Sequence, residues 1–315
     1  MPYMVARMRI GIVGAGGVGG LIAGLLSRAG HDVAVVARGS MLQAVRDRGL
    51  RIDSPLGTFA ARVEAVAAAS ELAPVDAMLV AVKAWQVPEV AASLAPALGR
   101  DGIVVPLQNG VDSADQCADA LGDDRVFGGI CHVLSWIAEP GAVKHVSAPP
   151  RVTLGAWRSP ATPRLEALRE ALDGAGVPSR VASNFPAALW DKFLFIVGFA
   201  GVGAVARAGA AAIRTVPQTR NMLVGSFEEV YAVATAKGVA LKPDTVAKAL
   251  ALIDVLPDDA IASLQRDIVA GRPSELDSLS GAVARIGAEV AVPVPIHQAI
   301  YAALLPQELA ARRSS

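Results

Sequence analysis

The segment Met8-Arg-Ile-Gly-Ile-Val-Gly14-Ala-Gly16-Gly17-Val-Gly19-Gly20 leaves this chain few folds to choose from. A short apolar run containing Ile10, Ile12 and Val13 leads into Gly-x-Gly-x-x-Gly at Gly14, Gly16 and Gly19. The amphipathic stretch from about Val18 to Ala29 predicts a helix, and Gly30 suits a left-handed C-cap. A second apolar run follows at Val33 to Val36. Strand, tight glycine turn, helix, strand is the order that a dinucleotide site requires. Gly14 permits the turn, Gly16 lets the backbone approach a pyrophosphate, and Gly19 lets helix and strand pack closely. Together Gly14, Ala15, Gly16, Gly17, Val18 and Gly19 form the predicted phosphate cradle, where helix N–H groups and the helix dipole favour negative charge.

The end of the second strand narrows the cofactor. An NAD site usually closes this strand with Asp or Glu for the ribose hydroxyls, whereas an NADP site offers a cation to the 2′-phosphate. Here it reads Val35-Val36-Ala37-Arg38-Gly39-Ser40, with no acid. A bidentate fork from Arg38 suits a phosphate dianion, so the expected cofactor is NADP(H). Ser40 and Gln43 have capping-box spacing, which predicts a further helix beginning there.

Charge and cysteine content exclude several other classes. Lys plus Arg and Asp plus Glu number 29 each, a balance that gives no support for a nucleic acid or anionic-membrane partner. Two cysteines, Cys117 and Cys131, make no disulfide framework and fit a reducing cytoplasm. The four scattered histidines form no zinc motif, so no metal is expected. The glycine-rich stretch Ile10 to Ser27 is explained by the nucleotide turn, and Phe193 to Ala206 is read as too short to cross a bilayer. The segment before Met8 lacks a basic region followed by an apolar core, so no signal peptide is expected.

The first half alternates strand and helix patterns. Val75 to Val82 and Gly102 to Leu107 read as buried parallel strands, with a helical stretch from Pro88 to Leu98 between them. Leu50 to Ala67 reads as a hairpin around Pro55-Leu-Gly57. Strands at Val126 to Ile137, Ala142 to Val146 and Val152 to Leu154 are expected to extend the far edge of the parallel sheet. From about Asn184 the pattern is helical: Ala187 to Ala208, Thr219 to Lys237, stretches from Pro243 and from Ala260, Ser278 to Ala291, and His297 to Arg313. The predicted architecture is α/β, with a Rossmann-type NADP-binding domain at 1–182 and a helical substrate domain at 183–315. Alanine-rich apolar helix faces in the second half suit packing against each other or against a second subunit, which leaves a homodimer open.

Ligand sites in such folds lie beyond the carboxyl ends of the parallel strands, where Lys83 and Asn109 fall. An amide there can hold the nicotinamide ribose or carboxamide, and a lysine can reach ribose or substrate. Asn109-Gly110 is equally an ordinary turn dipeptide, and Lys83 a solvated strand end. In Trp190-Asp191-Lys192, a lysine just inside an apolar helix can be a proton donor facing a cleft or a snorkelling side chain.

Taken with Val82-Lys83-Ala84-Trp85-Gln86, Gln108-Asn109-Gly110-Val111, Trp190-Asp-Lys192-Phe and the block from Ser263 through Gly271-Arg-Pro-Ser-Glu275-Leu-Asp277, the chain resembles the ketopantoate reductase (2-dehydropantoate 2-reductase) family. These motifs occur in the family's order over nearly the whole length. The resemblance implies reduction of a small 2-oxo acid by NADPH in pantothenate synthesis. It implies that Gly14, Gly16, Gly19 and Arg38 serve the cofactor, with Lys83 and Asn109 near its nicotinamide end. It implies Lys192 and Glu275 as the catalytic residues, Lys192 being the general acid, with Ser263, Glu275 and Asn109 at the substrate. Glu275 also reads as an acid in the first turn of a helix beginning near Pro273. The family's asparagines four and eight residues after the lysine are Ile196 and Ala200 here, on one helical stripe with Lys192. That replacement predicts an apolar wall and favours a paralogue acting on a bulkier, more apolar 2-oxo acid or another carbonyl. A third reading is an NADPH-binding sensor without turnover.

Overall fold

The computed structural model describes residues 6–146 and 148–314. Residues 1–5, part of the segment read as lacking a signal-peptide pattern, lie outside the described residues. The chain divides into two compact units. The first comprises residues up to Gln108 and Ser113–Phe185, and the second Asn109–Asp112 and Pro186–Ser315. The division thus falls at Phe185, beside the sequence boundary after 182, and it assigns the short segment 109–112 to the helical unit.

The first unit runs β1 (Arg9–Val13), α1 (Gly17–Arg28), β2 (Asp32–Val36), α2 (Gly39–Arg48), β3 (Leu50–Asp53), β4 (Phe59–Ala61), β5 (Glu64–Val66), β6 (Val75–Val80), α3 (Val87–Ala92), β7 (Leu98–Pro106) and α4 (Ser113–Leu121). It continues with β8 (Gly128–His132), β9 (Ser135–Glu139), β10 (Ala142–His145), β11 (Arg151–Gly155), α5 (Pro163–Gly174) and β12 (Ser179–Ala182). A parallel Rossmann-type sheet has the order β5-β2-β1-β6-β7. Its strands are near-continuous apolar runs because both faces are covered, as Ile10, Ile12, Ala77 and Leu79 in one core and Val80 and Val104 in the other show.

The remaining strands do not simply lengthen that sheet. The hairpin β3–β4 joins β10 and β9 in a separate sheet of order β4-β3-β10-β9, and β12-β11-β8 form a third. A single bridge, Val104 to Val126, links β7 to the chain leading into β8. The second sheet exists because α1 offers a glycine face to it. A Cβ at Gly20 would lie 2.8 Å from Val143, and one at Gly24 would lie 2.6 Å from Ile52. The helix is therefore covered on both sides, which a narrower apolar stripe would not permit.

The capping box expected at Ser40 and Gln43 is absent. Gly39, at φ +55°, turns the chain into α2 early, so Arg38 becomes the N-cap and Ser40 lies inside the first turn. The Gln43 amide instead donates to Asp47 at 2.7 Å.

The second unit contains α6 (Phe185–Ala206), α7 (Ala210–Thr215), α8 (Pro217–Ala236), α9 (Thr245–Asp254), α10 (Ser263–Val269), a π-helical turn at Asp277–Gly281, α11 (Ala282–Glu289) and α12 (Pro295–Arg313). At 22 residues, α6 is long and apolar enough to cross a membrane, unlike the shorter Phe193–Ala206 segment considered from sequence, yet 67% of its apolar window is buried inside the protein. Its glycines permit that burial: a Cβ at Gly198 would meet Phe227 of α8 at 2.5 Å, and one at Gly201 would meet Ile300 of α12 at 3.1 Å. Glu229 of α8 fastens the start of α12 by accepting from the N–H groups of Ile296 and His297 at 2.8 and 3.0 Å.

Candidate active site

The glycine turn separates into three physical roles. Gly14 has φ +102°, and a Cβ there would lie 2.8 Å from the Ala81 carbonyl oxygen. At Gly19 a Cβ would lie 2.0 Å from the Gly14 carbonyl oxygen. At Gly16, in contrast, an added Cβ would have nothing within 4 Å, so the missing side chain leaves open space above the backbone. Gly16 caps α1 with extended backbone and no side-chain bond, and α1 has no acid in its first turn. The N–H groups of Gly17, Val18 and Gly19 have no carbonyl one turn back to pair with. Ala15 is buried under the turn. An open cradle, first-turn N–H groups and no nearby acid in the helix suit a dinucleotide pyrophosphate. Gly17 has a further duty, since a Cβ there would lie 2.5 Å from the Ser135 carbonyl oxygen of β9.

Arg38 stands at the end of β2 with its side chain 72% exposed, and its guanidinium is 3.6 Å from the Glu89 carboxylate of α3. Lys83 opens the 3-10 turn Ala84–Gln86. Its backbone N–H donates to the Gln86 side chain at 3.2 Å, and its ammonium lies 5.8 Å from the centroid of the Trp85 ring. The Lys83-x-x-Gln86 spacing is therefore a local cap. Gln108 is a residue that sequence reasoning left without a role. Its amide donates to the carbonyls of Val80 and Val82 at 2.9 and 3.0 Å, fastening the ends of β6 and β7 where Asn109 leaves the sheet.

In the helical unit, the Lys192 ammonium donates to the Asn109 side-chain oxygen at 3.1 Å. Two residues far apart in sequence are thereby joined. Gly110 makes the approach possible: at φ +109°, a Cβ there would lie 2.9 Å from the Ser278 carbonyl oxygen. Arg285 of α11 pairs with Asp112 at 2.7 Å and holds the other end of the same segment.

Glu275 is buried just before the π-helical turn, its backbone carbonyl accepting from Leu279 N–H at 3.0 Å and Ser278 Oγ at 3.1 Å. The helix expected to begin near Pro273 begins later, because Ser274 is held elsewhere. Its N–H and hydroxyl both donate to the buried Glu308 carboxylate of α12, which pairs with Arg312 Nε at 2.7 Å. The hydrogen bond that the Tyr301 phenol donates to the Asp277 carboxylate at 2.6 Å, with a smaller contribution from desolvation, pushes Tyr301 up to about 12. Sequence reasoning missed Ser274, Glu308 and Arg312, although Ser274 stands within the matched block.

Ser263 is half-buried at the start of α10, whose Gln265 lies where a Cβ on Gly203 would come within 2.8 Å. Gly203 is roughly 16 Å along α6 from Lys192 at 1.5 Å per residue. The apolar wall expected from Ile196 and Ala200 reduces to one residue, because Ala200 is sealed in the core at 1% exposure while Ile196 is half-buried. Among the described residues no group of three or more His, Cys, Asp and Glu is placed to hold a metal ion. Burial pushes the Cys117 thiol up to about 12, which leaves it unreactive.

A parallel Rossmann-type sheet, its open glycine cradle and a helical second unit define an NAD(P)-binding oxidoreductase. Residues 10–159 match the family model for ketopantoate reductase PanE/ApbA, and residues 184–308 match its C-terminal counterpart. The chain belongs to the ketopantoate reductase PanE/ApbA family. A 2-dehydropantoate 2-reductase from Halobacterium salinarum is 31% identical over 296 residues, covering 92% of this chain and 95% of that protein. The uncharacterized oxidoreductase YkpB of Bacillus subtilis is 27% identical over 297 residues, covering 94% and 98%. Among solved structures, a PanE/ApbA family ketopantoate reductase from Ralstonia eutropha superposes with a TM-score of 0.89 at 28% identity, covering 97% of this chain and all of that one.

Proposed function

We propose that this protein reduces a 2-oxo acid with NADPH, Lys192 acting as general acid. The hydrogen bond between Lys192 and Asn109 carries the reading, since it pairs an ammonium able to act as acid with the amide that the family resemblance assigns to the nicotinamide end. When bound, the reduced nicotinamide supplies a hydride to the keto carbon. Lys192 offers its positive charge to the oxygen as it gains negative charge, and then its proton. Asn109 holds that ammonium in place through its side-chain oxygen. Glu275 and Ser263 are assigned to the substrate's polar groups on the match of their sequence block. Arg38, with no acid beside it on β2, supports a 2′-phosphate and hence NADPH.

Ketopantoate is the substrate suggested by the relatives' names. Ile196 supports a second reading, a bulkier and more apolar 2-oxo acid, because a half-buried aliphatic side chain replaces an amide one turn from Lys192. Oxidation of NADPH, followed by absorbance with ketopantoate and with branched and aromatic 2-oxo acids, separates them. A kcat/KM of about 10⁴ M⁻¹s⁻¹ or more with ketopantoate assigns that substrate. Turnover confined to the bulkier acids assigns the second reading. Tight NADPH binding with no turnover on any of them sets aside the 2-oxo acids of the panel and moves the weight to another carbonyl substrate or to a sensor.

A further inference from the structure

We infer that Glu89 sets the balance between NADPH and NADH, accepting hydrogen bonds from an unphosphorylated adenosine ribose and opposing the 2′-phosphate that Arg38 attracts. The inference rests on the proposed place of the adenosine ribose beside Arg38. The sequence around β2 lacks the carboxylate of an NAD site, yet the fold returns one from another element. Glu89 stands in the first turn of α3, after β6, with its carboxylate 3.6 Å from the Arg38 guanidinium.

The pair is loose and open. The two side chains are 72% and 77% exposed, and 3.6 Å is longer than a well-formed charge-assisted bond. A ribose hydroxyl is a donor and can bond to Glu89 without breaking the contact with Arg38. A phosphate is an acceptor only. It must share Arg38 with a carboxylate a few ångströms away, and a dianion facing a monoanion at that range loses about fivefold to tenfold in affinity at moderate salt. Arg38 and Glu89 thus form a two-way reader, one residue for each form of the cofactor. An exposed ion pair of this kind contributes little to folding, so the reader can be altered without unfolding the protein.

The test is equilibrium titration of the wild type, Glu89→Gln and Arg38→Ala with NADPH and with NADH, read by protein and cofactor fluorescence without substrate. Thermal melts confirm that each variant is folded. In Glu89→Gln, NADPH is expected to bind about fivefold more tightly and NADH about threefold more weakly, as a neutral acceptor replaces a charged one. Raising the salt should narrow the wild-type difference from this variant for NADPH. Arg38→Ala should shift the preference the opposite way. If Glu89→Gln leaves the NADPH-to-NADH ratio unchanged while Arg38→Ala lowers it, the inference about Glu89 fails and the NADPH reading stands. If Arg38→Ala also leaves the ratio unchanged, the cofactor reading fails and takes the inference with it.

Discussion

The proposed mechanism gives Lys192 two separable duties, charge and proton. Lys192→Ala removes both and should lower kcat by about 10²–10⁴-fold, the range usual for a positioned acid. The Kd for NADPH should stay within about twofold, since the phosphate cradle is untouched. Lys192→Arg keeps the charge but loses the acid, because a guanidinium does not give up its proton near neutral pH. If the proton is what matters, the arginine variant stays slow at every pH. An alanine variant that keeps more than about a tenth of the wild-type kcat would remove Lys192 from the chemistry. At this scale the sequence was legible wherever the chemistry is local. Arg38 stands out as a candidate by residue type and position, and Lys192 only once the family resemblance is added, since alone it reads equally as a snorkelling side chain. Gln108 and Glu308 do not stand out, because their partners Val80, Val82 and Ser274 come near only once the chain has folded.

Helix α1 shows how one element answers to two unrelated demands. Gly16 faces open space, so Gly16→Ala should melt within about 2 °C of the wild type, as befits a site without steric conflict. Its added methyl would nevertheless occupy the cradle and weaken NADPH binding by about tenfold or more. Gly17→Ala should behave differently. Its Cβ would lie 2.5 to 2.8 Å from the backbone of Ser135 and Trp136, and a strand cannot yield as a side-chain tip can. A loss of about 1–3 kcal/mol is expected, read as a lower denaturation midpoint in urea. Equal stability losses in the two variants would refute the division of roles. The motif was legible because strand, turn and helix are contiguous. The second sheet was not, because β3 pairs in parallel with β10, Arg51 opposite Ala142, with β4 to β9 and two α-helices between them in sequence. Nor was the π-helical turn before α11, since its start depends on Glu308 holding Ser274 from another helix.

Across the whole molecule, two pH effects act together. His297 is buried with its Nε2 at 3.1 Å from the Ser226 carbonyl, and burial lowers it to about 4. Burial lowers His31 and His145 as well. A histidine whose folded pKa is depressed contributes stability above its unfolded value near 6.5, and loses it as pH falls toward the folded value. For His297 that is roughly 3 kcal/mol between about pH 6.5 and 4. Glu229, raised by burial, works the other way, since its protonation favours the folded form as pH falls, and offsets part of the loss. The second effect is colloidal. With 29 basic and 29 acidic residues the net charge is zero at pH 7, where self-association is least opposed. Raising the pH above about 6.5 therefore keeps the histidine contribution, but it leaves the net charge near zero until lysines begin to titrate, so repulsion is not restored with it. Melting the wild type and His297→Gln from pH 8 to pH 4.5 tests the first effect. The glutamine amide can still donate to Ser226 but takes up no proton, so its melting temperature should fall less steeply with acid. Parallel curves for the two proteins would show that His297 does not govern the acid loss. Light scattering over the same range should give the lowest second virial coefficient near pH 7, independently of which side chain at 297 the protein carries.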